Sequence, residues 1–192
     1  ENTRLLPKSA YAKAKVEIEK YILKHKKMKP CPVILRFSTA FGQAPRMRYD
    51  LTINEFCKYA NNDQQLTVYD PETWRPYCHV KDFSRIVLKV LSSPNKVVRN
   101  QVFNVGSNSS NFRKRDIVKL IKEEKKKLKV LFLKKKVDPR DYRVNFSKLK
   151  KILNIEPNYS AKMGIKEMLK NLKSKKKISK DIGNYKIKKN VK

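Results

Sequence analysis

Glycine is scarce in this chain of 192 residues, which contains only Gly42, Gly106, Gly164 and Gly183. A dinucleotide-binding fold needs closely spaced glycines after its first strand, because the backbone there must approach a pyrophosphate. No two glycines of this sequence are close enough to form that turn. The sequence therefore lacks the turn that would hold the phosphates of a dinucleotide.

Cysteine and histidine are also few. The three cysteines, Cys31, Cys57 and Cys78, are odd in number and lack C-x-x-C spacing, which is typical of reduced thiols in a cytosol rather than of a disulfide framework. The two histidines, His25 and His79, share no spacing that would suit metal ligands. We therefore expect a cytoplasmic protein without a metal site.

Long apolar runs are missing from the sequence. No stretch approaches the roughly 18 apolar residues that would cross a bilayer, and no signal peptide is visible in the chain, which begins with Glu1. We therefore expect no membrane partner.

Acidic residues are outnumbered. The chain has 17 Asp and Glu against 48 Lys and Arg, which gives a net charge of +31. Such a balance often indicates nucleic-acid binding, but here lysines outnumber arginines more than three to one and are spread along the chain. A general lysine bias explains this distribution better than a basic face does, although lysines are concentrated in 113–136 and 173–192. A basic module that binds nucleic acid or an anionic polymer stays the alternative hypothesis.

A tyrosine–lysine pair stands near the start of the chain, in Ser9-Ala10-Tyr11-Ala12-Lys13-Ala14-Lys15. Four-residue spacing on a helix puts both side chains on one face, where the ammonium can lower the phenol pKa and enable proton transfer. The same spacing recurs at Tyr77/Lys81 and Tyr185/Lys189, so spacing alone does not select a site. The first pair is favoured because Ser9 is a suitable N-cap and small alanines surround Tyr11.

Hydrophobic periodicity predicts alternating helices and strands. Tyr11, Ala14, Ile18 and Tyr21/Ile22 recur at three- and four-residue steps, which predicts an amphipathic helix over 9–27. An apolar run at 33–37 then predicts a buried strand, and this order is typical of an α/β domain with a parallel sheet. The other predicted helices are 51–60, 81–92, 114–127, 147–153 and 161–172, and the other predicted strands are 66–69, 101–105 and 130–133.

Five segments together resemble the extended short-chain dehydrogenase/reductases, in the NAD-dependent epimerase/dehydratase family that acts on nucleotide sugars. They follow the family's order and cover about residues 1–172. The segments are SAYAKAKVEIEKY (9–21), VILRFSTAFG (33–42), RPYCHVKDF (75–83), VFNVG (102–106) and DPRDYRVNFSK (138–148).

The resemblance implies an α/β fold, namely a partial Rossmann-type, doubly wound domain without its Gly-rich N-terminal half, plus a small α/β substrate-binding lobe. The Rossmann part would comprise 1–48 and 75–110, the lobe 49–74 and 111–172, and a disordered lysine-rich tail 173–192. Since the family carries the Gly-rich turn ahead of the tyrosine helix, we expect a fragment of a longer enzyme that is inactive alone. We also expect 33–37 and 101–105 to lack sheet neighbours.

The resemblance further implies reversible hydride transfer with NAD or NADP, as in an epimerase, dehydratase or reductase. Tyr11 would be the acid/base, Lys15 would tune it and bond the nicotinamide ribose, and Ser38 would touch the nicotinamide end of the cofactor. Thr39 would contact the sugar. Alternatively, Tyr11 is an ordinary tyrosine of an amphipathic helix, and Ser38 and Thr39 are simple turn residues. For the whole chain, a degenerate, non-catalytic scaffold of the same fold is a third hypothesis.

The implied substrate is a nucleotide-diphosphate sugar, bound by a homodimeric full-length enzyme. A guanidinium suits a diphosphate because it forms paired hydrogen bonds in a fixed geometry, so Arg75 is the principal candidate. We interpret His79 and Asp82 as structural. The other substrate-binding candidates are Thr39, Thr52, Tyr69, Asp138, Arg140 and Tyr142. The last three could instead form a surface turn with a local ion pair.

Overall fold

The computed structural model describes residues 1–25, 27, 29–135 and 140–174. The fold alternates helices with short strands. The helices are α1 (Ala10–Lys24), α2 (Thr52–Asn61), α3 (Val80–Leu91), α4 (Asn95–Val98), α5 (Lys114–Glu124), α6 (Ser147–Leu153) and α7 (Ala161–Ser174). The strands are β1 (Ile34–Phe37), β2 (Thr39–Phe41), β3 (Leu66–Tyr69), β4 (Trp74–His79), β5 (Val102–Val105), β6 (Asn111–Arg113) and β7 (Val130–Leu133).

The strands form three small, mostly parallel sheets. β1 and β5 are parallel, with Ile34 opposite Val102. β2 is parallel to β4, which pairs antiparallel with β6 on its other side. β3 and β7 are also parallel. The expectation that 33–37 and 101–105 lack sheet neighbours is thus wrong, because these two strands pair with each other.

Two apolar cores hold these elements together. The larger one joins α2, α5 and α7 with β3, and its fully buried side chains include Ile53, Ile117, Ile121, Ile165 and Met168. The smaller one joins α3, β5 and α6, through Ile86, Phe103, Val105 and Leu149. The division into a Rossmann part and a lobe remains a prediction.

All the predicted helices and strands are present, with bounds that shift by up to three residues. α4, β2, β4 and β6 were not predicted. β4 has the sequence WRPYCH, which does not alternate between apolar and polar residues, yet Arg75 to His79 are all buried. A strand buried among both apolar and polar neighbours gives no period-two signal.

Helix α1 begins as predicted, since Ser9 Oγ accepts a hydrogen bond from Ala12 N at 3.2 Å. Its predicted apolar face, however, lies outward: Tyr11, Ile18 and Tyr21 are all more than half exposed. The face that carries Val16 and Glu19 is half-buried instead. No described helix is long and apolar enough to cross a membrane. The predicted disorder of 173–192 falls mostly on 175–192, outside the described residues.

Candidate active site

Tyr11 and Lys15 lie on one exposed face of α1. The Lys15 Nζ atom is 5.6 Å from the centroid of the Tyr11 ring, so the four-residue spacing puts the two side chains on the same face of the helix. The Tyr11 side chain is 74% exposed. It is therefore accessible to a ligand, and the role of the pair in catalysis remains a prediction.

An ion pair fastens α1 to β1. The Arg36 guanidinium on β1 donates Nε–H to Glu19 Oε2 at 2.9 Å and Nη2–H to Glu19 Oε1. It also donates to the backbone carbonyl of Glu1 at 3.2 Å. The hydrogen bond to Glu19 is the main cause that raises the Arg36 pKa. This paired contact fixes where the tyrosine helix stands relative to the sheet.

Ser38 lies at the carboxyl end of β1 and Thr39 begins β2. Ser38 Oγ donates to the Val105 carbonyl at 2.6 Å, and a Cβ on Gly106 would come within 2.5 Å of that hydroxyl. No hydrogen bond between described residues joins Tyr11 or Lys15 to Ser38 or Thr39. That the four residues share one cleft therefore stays a prediction.

Arg75, Arg140 and Tyr142 lie together. Arg75 is only 6% exposed, and its Nη1 donates to the backbone carbonyls of Trp74, at 3.2 Å, and of Arg140. Its Cζ is 5.2 Å from the centroid of the Tyr142 ring. Arg140 and Tyr142 are exposed. The structure thus brings a buried arginine to the loop that carries the second one, while the candidate Asp138 lies outside the described residues.

Tyr77 on β4 connects this cluster to helix α2. Its hydroxyl is buried and faces the Thr52 side chain. Burial raises the pKa of Tyr77 to about 12, against smaller opposing effects of Thr52 and Arg75. The phenol is therefore neutral at physiological pH and interacts with both candidates, Thr52 and Arg75.

A cavity of about 360 Å³ opens beside Thr52. Its wall includes two predicted residues, Thr52 and Tyr69, together with Glu55, Tyr59 and Lys114. Its size lies within the range of small-molecule sites. The structure thus places Thr52 and Tyr69 in one cavity, with a carboxylate and an ammonium that were not predicted.

His79 and Asp82 make structural contacts, as we expected. The Asp82 carboxylate accepts hydrogen bonds from the backbone N–H groups of Asn158 and Tyr159, both at 2.9 Å, and from Arg85 at 2.7 Å. The His79 ring stacks on Tyr159 with centroids 4.5 Å apart. Both residues join the start of α3 to the segment that precedes α7.

The described glycines do not form a cradle for a pyrophosphate. A Cβ on Gly42 would come within 2.3 Å of His79, one on Gly106 would meet Ser38, and one on Gly164 would come within 2.4 Å of Phe41. Each glycine thus makes room for a protein side chain rather than for a ligand. That Tyr11, Lys15 and Ser38 meet the nicotinamide end of a dinucleotide remains a prediction. The described part also holds no group of three or more potential metal ligands.

The predicted site residues did not include Glu55, Lys114 or the Arg36–Glu19 pair. A signal for Glu55 was present, because Thr52, Glu55 and Tyr59 follow one another at helical spacing and therefore share a face of α2. Lys114 and the Arg36–Glu19 pair depend on contacts between distant segments, which periodicity does not reveal.

Solved structures share this fold. UDP-glucuronic acid 4-epimerase from Bacillus cereus, solved with UDP-glucuronic acid and NAD, is 24% identical with a TM-score of 0.77, over 90% of this chain and 55% of that one. dTDP-glucose 4,6-dehydratase from Bacillus anthracis, solved with NAD, is 26% identical with a TM-score of 0.70, over 88% of this chain and 54% of that one. RMD from Pseudomonas aeruginosa, complexed with NADPH, is 19% identical with a TM-score of 0.77, over 91% of this chain and 59% of that one.

The chain thus spans little more than half the length of these structures. Its α/β fold with parallel strand pairs corresponds to part of their Rossmann-like fold. The family model for the NAD dependent epimerase/dehydratase family matches residues 1–106, more than half of the chain. The chain therefore belongs to the NAD-dependent epimerase/dehydratase family.

Proposed function

We propose that this chain provides the substrate-binding part and the tyrosine–lysine pair of an NAD(P)-dependent enzyme that epimerises, dehydrates or reduces a nucleotide sugar. The observation that carries the proposal is the place of Tyr77, which interacts with Thr52 in the cavity wall and with Arg75, the arginine that contacts Arg140 and Tyr142. An aromatic cavity beside an arginine cluster suits a base joined to a diphosphate.

In this proposal the sugar hydroxyl meets Tyr11. The phenolate form of Tyr11, stabilised by the neighbouring Lys15 ammonium, takes up the hydroxyl proton, and the resulting phenol returns it in the reverse direction. Ser38 holds the nicotinamide end of the cofactor and Thr39 contacts the sugar. NAD or NADP, when bound, supplies the redox chemistry.

The same proposal assigns the nucleotide to the cavity and the cluster. The base packs on Tyr69 beside Thr52, and the diphosphate meets Arg75 and Arg140. An arginine suits this position because its planar fork of donors matches phosphate oxygens. Asp138 and Tyr142 would hold the ribose side of the nucleotide.

The cofactor's pyrophosphate finds no turn among the described glycines. We therefore expect residues 1–192 alone to bind NAD(H) weakly and to show no turnover of a nucleotide sugar. Micromolar binding of NADH to this chain in calorimetry would contradict that expectation.

Calorimetric titration of the chain with UDP and GDP tests the substrate site. We expect Arg75→Gln to weaken binding by about tenfold or more, because each charge-assisted hydrogen bond contributes roughly 1.5–3 kcal/mol. Lys122→Gln is the matched control, since it removes the same charge from an exposed position on α5. Arg140→Gln, also at an exposed position, gives a second reading if the buried Arg75 variant fails to fold.

The salt dependence separates this site from the alternative hypothesis. Binding of a polyanion weakens steeply with salt, because many counterions are released together. A site for one diphosphate loses far less affinity over the same range. Equal loss in Arg75→Gln and Lys122→Gln, with a steep salt dependence, would overturn the proposal in favour of a basic binding module.

A further inference from the structure

The cavity beside α2 has a polar wall of defined chemistry. Glu55 and Lys114 come to it from different elements, α2 and the first residue of α5, while Tyr59 and Tyr69 provide aromatic surface. Lys114 Nζ donates to the Tyr69 carbonyl at 2.8 Å, which holds the ammonium at the cavity wall. The Lys135 Nζ atom lies 4.6 Å from the centroid of the Tyr69 ring.

Glu55 is the unusual residue of this wall. Its backbone N–H donates to the Leu51 carbonyl at 2.8 Å, but its carboxylate makes no hydrogen bond or ion pair with the residues that the structure describes. The side chain is half-buried, and its pKa is raised, mainly by burial and further by Asp50, against Lys58 and Lys114. A half-buried carboxylate of this kind is stabilised by a ligand that presents N–H or O–H donors.

The nucleobases differ in the donors that they offer. Guanine presents two adjacent donors, N1–H and the N2 amino group, directly beside the acceptor O6. Uracil and thymine present a single N–H between two carbonyl oxygens. The amino groups of adenine and cytosine each stand beside a ring nitrogen acceptor, which a carboxylate would repel. Only guanine therefore matches a two-oxygen acceptor next to an ammonium.

We propose that this cavity is a guanine subsite, in which Glu55 accepts hydrogen bonds from N1–H and N2 and Lys114 donates to O6. The base would lie against the Tyr69 ring, and the diphosphate would extend toward Arg75. The inference rests on the proposed function, because it assigns the base of the same nucleotide sugar. It makes the substrate class a guanosine-diphosphate sugar.

Titration of the chain with GDP, IDP, UDP and ADP tests this assignment. IDP keeps N1–H and O6 but lacks the N2 amino group. One well-placed paired contact to a base discriminates by roughly tenfold to a hundredfold. We therefore expect GDP to bind at least about tenfold more tightly than UDP or ADP, with IDP between them.

Glu55→Gln should reduce this preference to about threefold or less, because an amide offers only one acceptor oxygen. Glu17→Gln, which makes the same change at an exposed position on α1, should leave the preference unchanged. Circular dichroism establishes that both variants fold. Arg75→Gln should weaken all four ligands by a similar factor.

The outcomes distinguish the two proposals. If UDP or ADP binds as tightly as GDP, or if Glu55→Gln keeps the full preference, the guanine assignment is wrong while the proposed function stands. If none of the four nucleotides binds at up to millimolar concentration, both proposals fail.

Discussion

The contact between Glu19 and Arg36 offers a way to loosen the tyrosine helix without touching its candidate catalytic residues. α1 contains no fully buried residue, so few apolar contacts hold it to the rest of the protein. Glu19→Gln removes the negative charge while keeping the length and helix propensity of the side chain. We expect α1 to separate more readily from β1, because the amide replaces a paired carboxylate.

The expected magnitude follows from the geometry. The carboxylate accepts two hydrogen bonds from one guanidinium, and hydrogen bonds to charged groups contribute roughly 1.5–3 kcal/mol each. The side chains of Arg36 and Glu19 are 25% and 12% exposed, so solvent screening reduces this contribution only in part. The glutamine oxygen still accepts one hydrogen bond from Arg36, which reduces the expected loss further. We expect a loss of about 2–4 kcal/mol, which is about thirtyfold to several hundredfold in the opening equilibrium.

Hydrogen exchange measured by mass spectrometry reads this opening locally. Peptides that cover Ala10–Lys24 should exchange faster in Glu19→Gln by that factor, while peptides from the larger core, such as Lys114–Glu124, should not change. Glu17→Gln is the matched control, since Glu17 also pairs with a lysine on α1 but is 69% exposed. Equal exchange of α1 in the two variants would refute the view that the ion pair holds this helix.

Three further predictions concern the buried residues. Burial raises the pKa of Cys57 and of Cys78 to about 12, so a thiol reagent should modify only one of the three cysteines in the native chain and all three after denaturation. Gly164→Ala should lower the melting temperature, because the new Cβ would come within 2.4 Å of an aromatic ring and overpacking typically costs about 1–3 kcal/mol; a higher melting temperature would contradict this. Burial lowers the pKa of His79 below 6.5 in the folded chain. As the pH falls, the imidazole is therefore protonated at a higher pH in the unfolded chain than in the folded one, and the free energy of unfolding should fall as the pH drops below 6.5. His79→Gln should lose this part of the slope, and an unchanged slope would exclude His79 as its source.

Local sequence patterns were sufficient for most elements of the fold. The bounds of β3, β7 and α6 match their predictions. β3 and β7 are short apolar segments with polar residues on both sides, and α6 has apolar residues at helical spacing. β4 could not be predicted in the same way. Its buried arginine and histidine are polar residues whose burial depends on partners elsewhere in the chain, which no local pattern reports.

The orientation of α1 shows a second limit. Its periodicity indicated an apolar stripe through Tyr11 and Ile18, and a stripe of this kind usually faces the core. The structure turns Glu19 inward because Arg36 pairs with it, although the two residues are 17 positions apart in the sequence. A periodic pattern can identify an amphipathic helix, but it does not state which face the rest of the protein covers.

The candidate site was accessible to sequence reasoning to different extents. Arg75 and Arg140 were both predicted as substrate-binding residues, and the structure brings the Arg75 side chain to the Arg140 backbone despite the 65 residues between them. Glu55 was not singled out because a glutamate in the first turn of a helix has an ordinary explanation in the helix dipole. Only the cavity, and the absence of a partner for its carboxylate among the described residues, distinguish it from such a glutamate.

The two parts of the candidate site depend on different packing. The cavity is built on α2, β3 and α5, which meet in the larger core, whereas Tyr11 and Lys15 stand on a helix that is held mainly by one ion pair. Mutations that loosen α1 should therefore impair proton transfer without altering the recognition of the nucleotide. In the proposed arrangement the base and the diphosphate do not contact the tyrosine helix, so we expect nucleotide binding by residues 1–192 to be measurable even where turnover is absent.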